Sequence, residues 1–266
     1  MPPGPFLMHP RKTFSANKRE DREERSAGIA GRLHFSIMMH TRIAADNPAQ
    51  RPTVILGLSV AVECDAGSFR PRHEQHGLAL FGDLRWTGWA SALNAGYADR
   101  LIVIGGVERL NIKACVPGVG SPCTSDRDII CVPRGEACCH ALSAKHGVAD
   151  SKLSWKLSEG NTGGNATAIK EIVQDLSPSC NLVISSNHYH LPRALMNLHA
   201  AGVAGIAAVP AEAYWVAEQS RAGRKISCTR MALTDAFGGG PLAARFAAEI
   251  QGAADKINNQ YAPLSR

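Results

Sequence analysis

From Thr53 onward, two kinds of apolar pattern alternate along the chain. Short unbroken runs at Thr53–Leu58 (TVILGL), Leu101–Ile104 (LIVI), Leu182–Ile184 (LVI) and Ile206–Val209 (IAAV) have the continuity of strands buried on both faces. Between them, the pattern predicts helices over 78–96, 135–146, 164–176 and 192–201. The third is the clearest: Ile169, Ile172, Val173 and Leu176 recur at helical spacing, and Ser177–Pro178 ends the segment. A fifth strand, Lys152–Leu157 (KLSWKL), alternates instead, placing Leu153, Trp155 and Leu157 on one face as an edge or half-covered strand would. Continuous strands separated by helices predict an α/β protein, a three-layer α/β/α sandwich around a mostly parallel sheet.

Three stretches fall outside this rhythm. Residues 1–50 join a Pro-rich start to an alternating charge run at Arg19–Arg25 (REDREER) and sustain no apolar period, so a poorly ordered basic head is expected there. Residues 107–134 carry Pro and Gly clusters without periodicity and are read as a long loop on the carboxyl edge of the sheet. After Val209 the chain reads as irregular until Pro241–Lys256, which can form a last amphipathic helix. The expected organisation is therefore a head over 1–50, an α/β domain over 51–256 and a tail over 257–266.

Composition narrows the function classes. Of 266 residues, 45% are apolar and 20% charged, enough to bury a core without staples. The net charge of +6 is spread thinly: residues 1–50 hold eight basic and five acidic side chains, and the remainder holds 21 and 18. With no basic stripe, zinc-finger spacing or RNP-like motif, no nucleic-acid partner is expected. The longest unbroken apolar run, Thr53–Val62, is ten residues, about half of what a membrane span needs, so no span is expected. Eight cysteines include no CxxC pair, and the head has no secretory apolar region, so reduced thiols and a cytoplasmic location are expected. The even spacing of Cys115, Cys123 and Cys131 lacks a compact histidine partner, and these are read as loop thiols rather than a metal site.

In open α/β sheets, ligands bind beyond the carboxyl ends of the strands, where the amides of the next helices point outward. The polar residues at those ends are Gly105–Gly106, the segment Glu159–Ala166 (EGNTGGNA), and Ser185–Ala194 (SSNHYHLPRA). Pro192 fits a first helical turn, setting His190 near the cap and Arg193 within that turn. Asn161 and Thr162 precede a helix and suit capping, whereas Asn165 on its first turn is a candidate ligand contact. His188 and His190 stand two apart on an expected strand face, without a third metal ligand at useful spacing. Neither GxGxxG nor GxxxxGK[ST] occurs.

The order of these segments resembles the SanA/ElyC/YdcF family of bacterial proteins. The resemblance rests on Leu56–Gly57, Arg85 with Gly96, Ile104–Gly105–Gly106, Glu136–Ala137, Asn161–Thr162 with Asn165–Ala166, and Ser185–Ser186 with His190 and Arg193–Ala194. It spans roughly residues 53–210. The chain departs from the family pattern at Gly164, where the family has Glu. It departs also at Glu159, where the family has Ser, unless a one-residue insertion makes Ser158 the equivalent. Residues 107–134 carry no family motif, and the N-terminal membrane helices of many members are absent from this sequence.

The resemblance implies a Rossmann-like sheet and a polar pocket on its carboxyl edge. The expected ligand is a small anionic, phosphate- or nucleotide-bearing molecule, contacted by Gly57, Arg85, Gly105, Gly106, Asn161, Thr162, Asn165, Ser185, Ser186 and Arg193. If the protein is an enzyme, His190 is the expected general acid or base, with Glu136 orienting it or a water, in phosphoester hydrolysis or group transfer. The alternative is a non-catalytic sensor of a nucleotide-like ligand, or an envelope-related regulatory protein. No cofactor is indicated.

Overall fold

The computed structural model describes residues 51–261, except for 73–78, 112, 114, 116, 124–125, 178 and 237–238. The expected head over 1–50 lies outside the described residues. Five strands form a parallel sheet: β1 (Thr53–Leu58), β4 (Arg100–Gly105), β8 (Leu153–Leu157), β9 (Asn181–Ser186) and β10 (Ala207–Pro210). Their order is β10-β9-β1-β4-β8, and every neighbouring pair is parallel. The chain therefore starts at the centre, moves out through β4 to β8, then crosses back to β9 and β10. The strand order reverses between β1 and β9, and such a reversal opens a crevice at the carboxyl ends.

Alternation along the central strands divides the core in two. Ile55, Leu101 and Val103 face α1 (Ala79–Asn94), α2 (Arg134–His146), α5 (Ala211–Arg221) and α7 (Gly240–Tyr261), with α6 (Ile226–Ala236) adding Leu233. Val54, Leu56, Leu58, Ile102 and Ile104 face α3 (Thr162–Leu176) and α4 (Leu191–Ala200) on the other side. All of β1 is buried, because helices cover both faces of a parallel sheet. The architecture is the three-layer α/β/α sandwich, Rossmann-like in its strand order.

Several sequence expectations need correction. Residues 107–134 are not a long loop: β5 (Val107–Asn111), β6 (Ser121–Cys123) and β7 (Asp126–Pro133) form an antiparallel sheet in the order β5-β7-β6. In β5 the polarity is inverted, with Val107 exposed and Glu108 buried between Arg72 and Arg134 at 2.8 and 2.7 Å, which hides the alternation. Cys123 and Cys131 are not free thiols but a disulfide joining β6 to β7. A hairpin, β2 (Val62–Asp65) with β3 (Ser68–Pro71), follows β1 without having been expected. The stretch after Val209 is helical: α5 starts directly after Pro210 and is buried on most sides, so it shows no amphipathic period. Finally, α7 runs through the expected tail as far as Tyr261, with Ile257 in the core; residues 262–266 lie outside the described residues. No helix among the described residues is long and apolar enough to cross a membrane.

Candidate functional site at the strand-order reversal

At the carboxyl ends of β1 and β9 a fully buried guanidinium organises the polar groups. Arg85, on α1, donates from Nη1 to the carbonyls of Leu58 (2.7 Å) and Ser59 (3.0 Å), capping the end of β1. Its Nε donates to Asn187 Oδ1 at 2.7 Å. The other end of the same carboxamide donates from Nδ2 to Glu212 Oε1 at 2.7 Å, and the His188 amide donates to both Glu212 oxygens at 3.2–3.3 Å. Asn187 thus bridges a buried cation and a buried carboxylate, and their opposite charges fix which way its amide points. Burial pushes the Glu212 carboxyl above its ordinary range, a shift that the Asn187 and His188 hydrogen bonds and the nearby Arg85 charge oppose. Burial also lowers Arg85, though a guanidinium stays charged in a protein.

One layer outward, the chain turns through a short 3-10 segment, His188–His190, before α4 begins with Pro192 in its first turn. The two histidines diverge. His188 Nε2 meets Glu249 of α7 at 2.9 Å, while His190 Nδ1 lies 2.9 Å from Ser186 Oγ. Desolvation, with Arg85 and Arg193 as neighbouring positive charges, brings His190 down to about 4, so the ring is neutral near pH 7. Arg193 is exposed on the first turn of α4. Ser185 is spent inside the core, accepting from Trp89 Nε1 at 2.9 Å. Gly57 lies mid-strand, where a Cβ would strike Trp89 and Leu101 at 2.9 Å; it serves packing and has no open space before it.

The β4–β8 side of the edge is closed by backbone. A Cβ on Gly105 would fall 1.8 Å from Ser59 Oγ, and one on Gly106 would fall 2.4 Å from the Cα of Gly160. These two glycines allow segments to touch rather than line a pocket floor. Asn161 caps α3, its Oδ1 accepting from the Gly164 amide at 2.7 Å. Asn165 is buried and receives the Ser158 hydroxyl, so its carboxamide ties down the preceding loop. Thr162 is partly exposed at the start of the same helix. Glu136 opens α2, and its charge bears on Cys139, whose thiol is pushed up to about 12 mainly by burial.

Of the sequence candidates, the structure gathers Arg85, Ser185, Ser186, His190 and Arg193 around β9. It sets Asn161, Thr162 and Asn165 on the neighbouring loop and helix, and does not bring Glu136 against His190. Sequence reasoning missed Asn187 and Glu212 as members. The available signal was Glu212, a lone carboxylate in the otherwise apolar stretch 200–217, because such a charge must be paired where it is buried. A cavity of about 480 Å³ lies elsewhere, between the carboxyl-terminal ends of α1 and α5, lined by Thr87, Asn94, His146, Glu218 and Arg221 among others. It sits away from the strand ends that carry the candidate chemistry, and the reading of function follows the latter. Compared with family models, curated proteins and solved structures, the chain finds no match in any of the three.

Proposed function

We propose that this protein binds a small anionic, phosphate- or nucleotide-bearing molecule at the carboxyl ends of β1 and β9, in the manner of the SanA/ElyC/YdcF-like proteins it resembles. One observation carries the reading: a neutral His190 is held by Ser186 at the mouth of α4, between the buried charge of Arg85 and the exposed charge of Arg193. Two cations and the amides of a helix N-terminus favour an anion, and Arg193 supplies a fork suited to phosphate oxygens. A neutral imidazole beside that anion accepts a proton or a hydrogen bond, the role of a general base in hydrolysis or group transfer. A bound anion would also raise His190 toward its ordinary value, coupling binding to proton uptake.

Calorimetric titration with a nucleoside diphosphate and with inorganic pyrophosphate tests the site. Arg193→Ala should weaken binding of these probes by roughly 10- to 150-fold, the loss expected for one charged hydrogen bond. Unchanged affinity would remove the site from consideration. His190→Gln should spare binding and lower turnover by roughly 10²–10⁴-fold. A sensor, the second reading, is favoured by the full burial of Ser186 and Glu212, which leaves neither able to reach a bound molecule. It requires probe binding with no product from the parent protein.

A further inference from the structure

We propose that two copies of this chain pair through β8, joining their sheets edge to edge. β8 closes one side of the five-stranded sheet, and among the described residues nothing pairs with its outer side. The strand is open at its far end: Trp155 is 42% and Leu157 49% exposed. Its backbone direction can be read from the inner ladder. The Ser158 amide donates to the Gly105 carbonyl at 2.9 Å, so the even-numbered residues of β8 turn their amides toward β4. The N–H and C=O groups of Trp155 and Leu157 therefore point outward, together with the Leu153 carbonyl, while the Leu153 amide already donates to the Asp150 carbonyl.

The occupant is specified by the strand itself. Leu153-Ser154-Trp155-Lys156-Leu157 is nearly palindromic about Trp155. A two-fold axis there, running through an antiparallel pair, sets Trp155 against its own copy and Leu153 against Leu157 of the second copy. All three opposed pairs are of the hydrogen-bonded type: the Trp155 pair exchanges two bonds, and each Leu157 amide donates to the Leu153 carbonyl of the second copy, whose own amide stays on Asp150. On the other face, Ser154 meets Lys156 of the second copy, in the closer, non-hydrogen-bonded type of pair. No like charges are opposed. Each Lys156 is already turned toward Glu171 of its own α3 at 3.1 Å. An unrelated strand would have to match this alternation by chance, whereas a second copy matches it by symmetry.

Sedimentation velocity of the full chain at micromolar concentrations should show a monomer–dimer equilibrium. Ser154→Lys opposes two pairs of like charges across the axis and should weaken the dimer by roughly 2- to 30-fold, from two cross-strand pairs. Ser154→Glu should tighten it by a comparable factor. Adding Lys156→Glu to Ser154→Lys should restore it, which a folding defect would not do. A parent protein that stays monomeric throughout overturns the proposal. So does an equal response to Ser154→Lys and Ser154→Glu. Far-UV circular dichroism of each variant checks that β8 still forms.

Discussion

Asn187 has its oxygen toward Arg85 and its nitrogen toward Glu212, and two substitutions test this orientation. Asn187→Leu keeps similar volume but strips the bridge from two buried charges, so denaturant melts should show a loss of about 3–5 kcal/mol. Asn187→Asp keeps the contact with Arg85 but sets a second carboxylate against Glu212. The pair can ionise only once at low cost, so the variant's stability should fall as pH rises from about 5 to about 8. His190 works in the opposite direction. Its folded value of about 4 is below the ordinary histidine value, so the unfolded chain binds the proton more readily. Its contribution is present above about pH 6.5 and is lost as pH falls toward 4. The loss should be roughly 2 kcal/mol after allowance for its partial exposure, and His190→Gln should flatten that limb of the stability curve. That Ser186, His190 and Arg193 stand together at the end of β9, with Arg85 beside them, was legible from the order of the residues. Glu212 was not, because a single acid inside an alanine-rich run reads as an interruption until burial shows it to be the partner of Asn187.

Among the elements, the strands of the central sheet were the most legible, since continuous aliphatic runs have few other uses in a chain of this composition. The small β5-β7-β6 sheet was not. Glu108 takes an inward position that pattern reading reserves for an apolar residue, and two arginines make this possible. The Cys123–Cys131 disulfide closes a loop of eight residues in that sheet. Loop-closure arithmetic gives about 2–3 kcal/mol for so short a loop. Reduction should therefore speed hydrogen exchange in β6 and β7 while leaving β1 and β4 protected. Thiol trapping in freshly lysed cells would report whether the bond forms where the protein works, because a reducing compartment keeps such pairs open. The contact between α1 and α5 is another tight place. A Cβ on Gly88 would lie 1.9 Å from the Ala211 carbonyl, backbone against backbone, so Gly88→Ala should cost about 1–3 kcal/mol or more in a thermal melt.

For the molecule as a whole, the sandwich joins its three layers through residues far apart in sequence, and the candidate site inherits that dependence. α7 supplies Ala247, Ile250, Ala254 and Ile257 to the core, Glu249 to His188, and Asn258 to both Tyr97 and the Ala217 carbonyl. Cutting the chain after Lys256 removes Ile257 and Asn258, and should lower the melting temperature by several degrees. The helix-α4 mouth should loosen with it, as seen by exchange at His188–Leu191. Sequence reading ended the helix at Lys256 because its last residues, Asn258, Asn259 and Gln260, have the polarity of a tail. The arrangement bears on how the protein is made. A polypeptide emerges from its amino end, and β1, the centre of the sheet, is among the first of these elements to leave the ribosome. Its parallel neighbour β9 follows more than a hundred residues later, and α7 follows every other element of the domain. Translation must therefore bring out nearly the whole domain before the polar cluster at the ends of β1 and β9 is complete. A message broken or paused ahead of α7 yields chains with the sheet strands in hand but without Glu249 to meet His188 or the α7 share of the core.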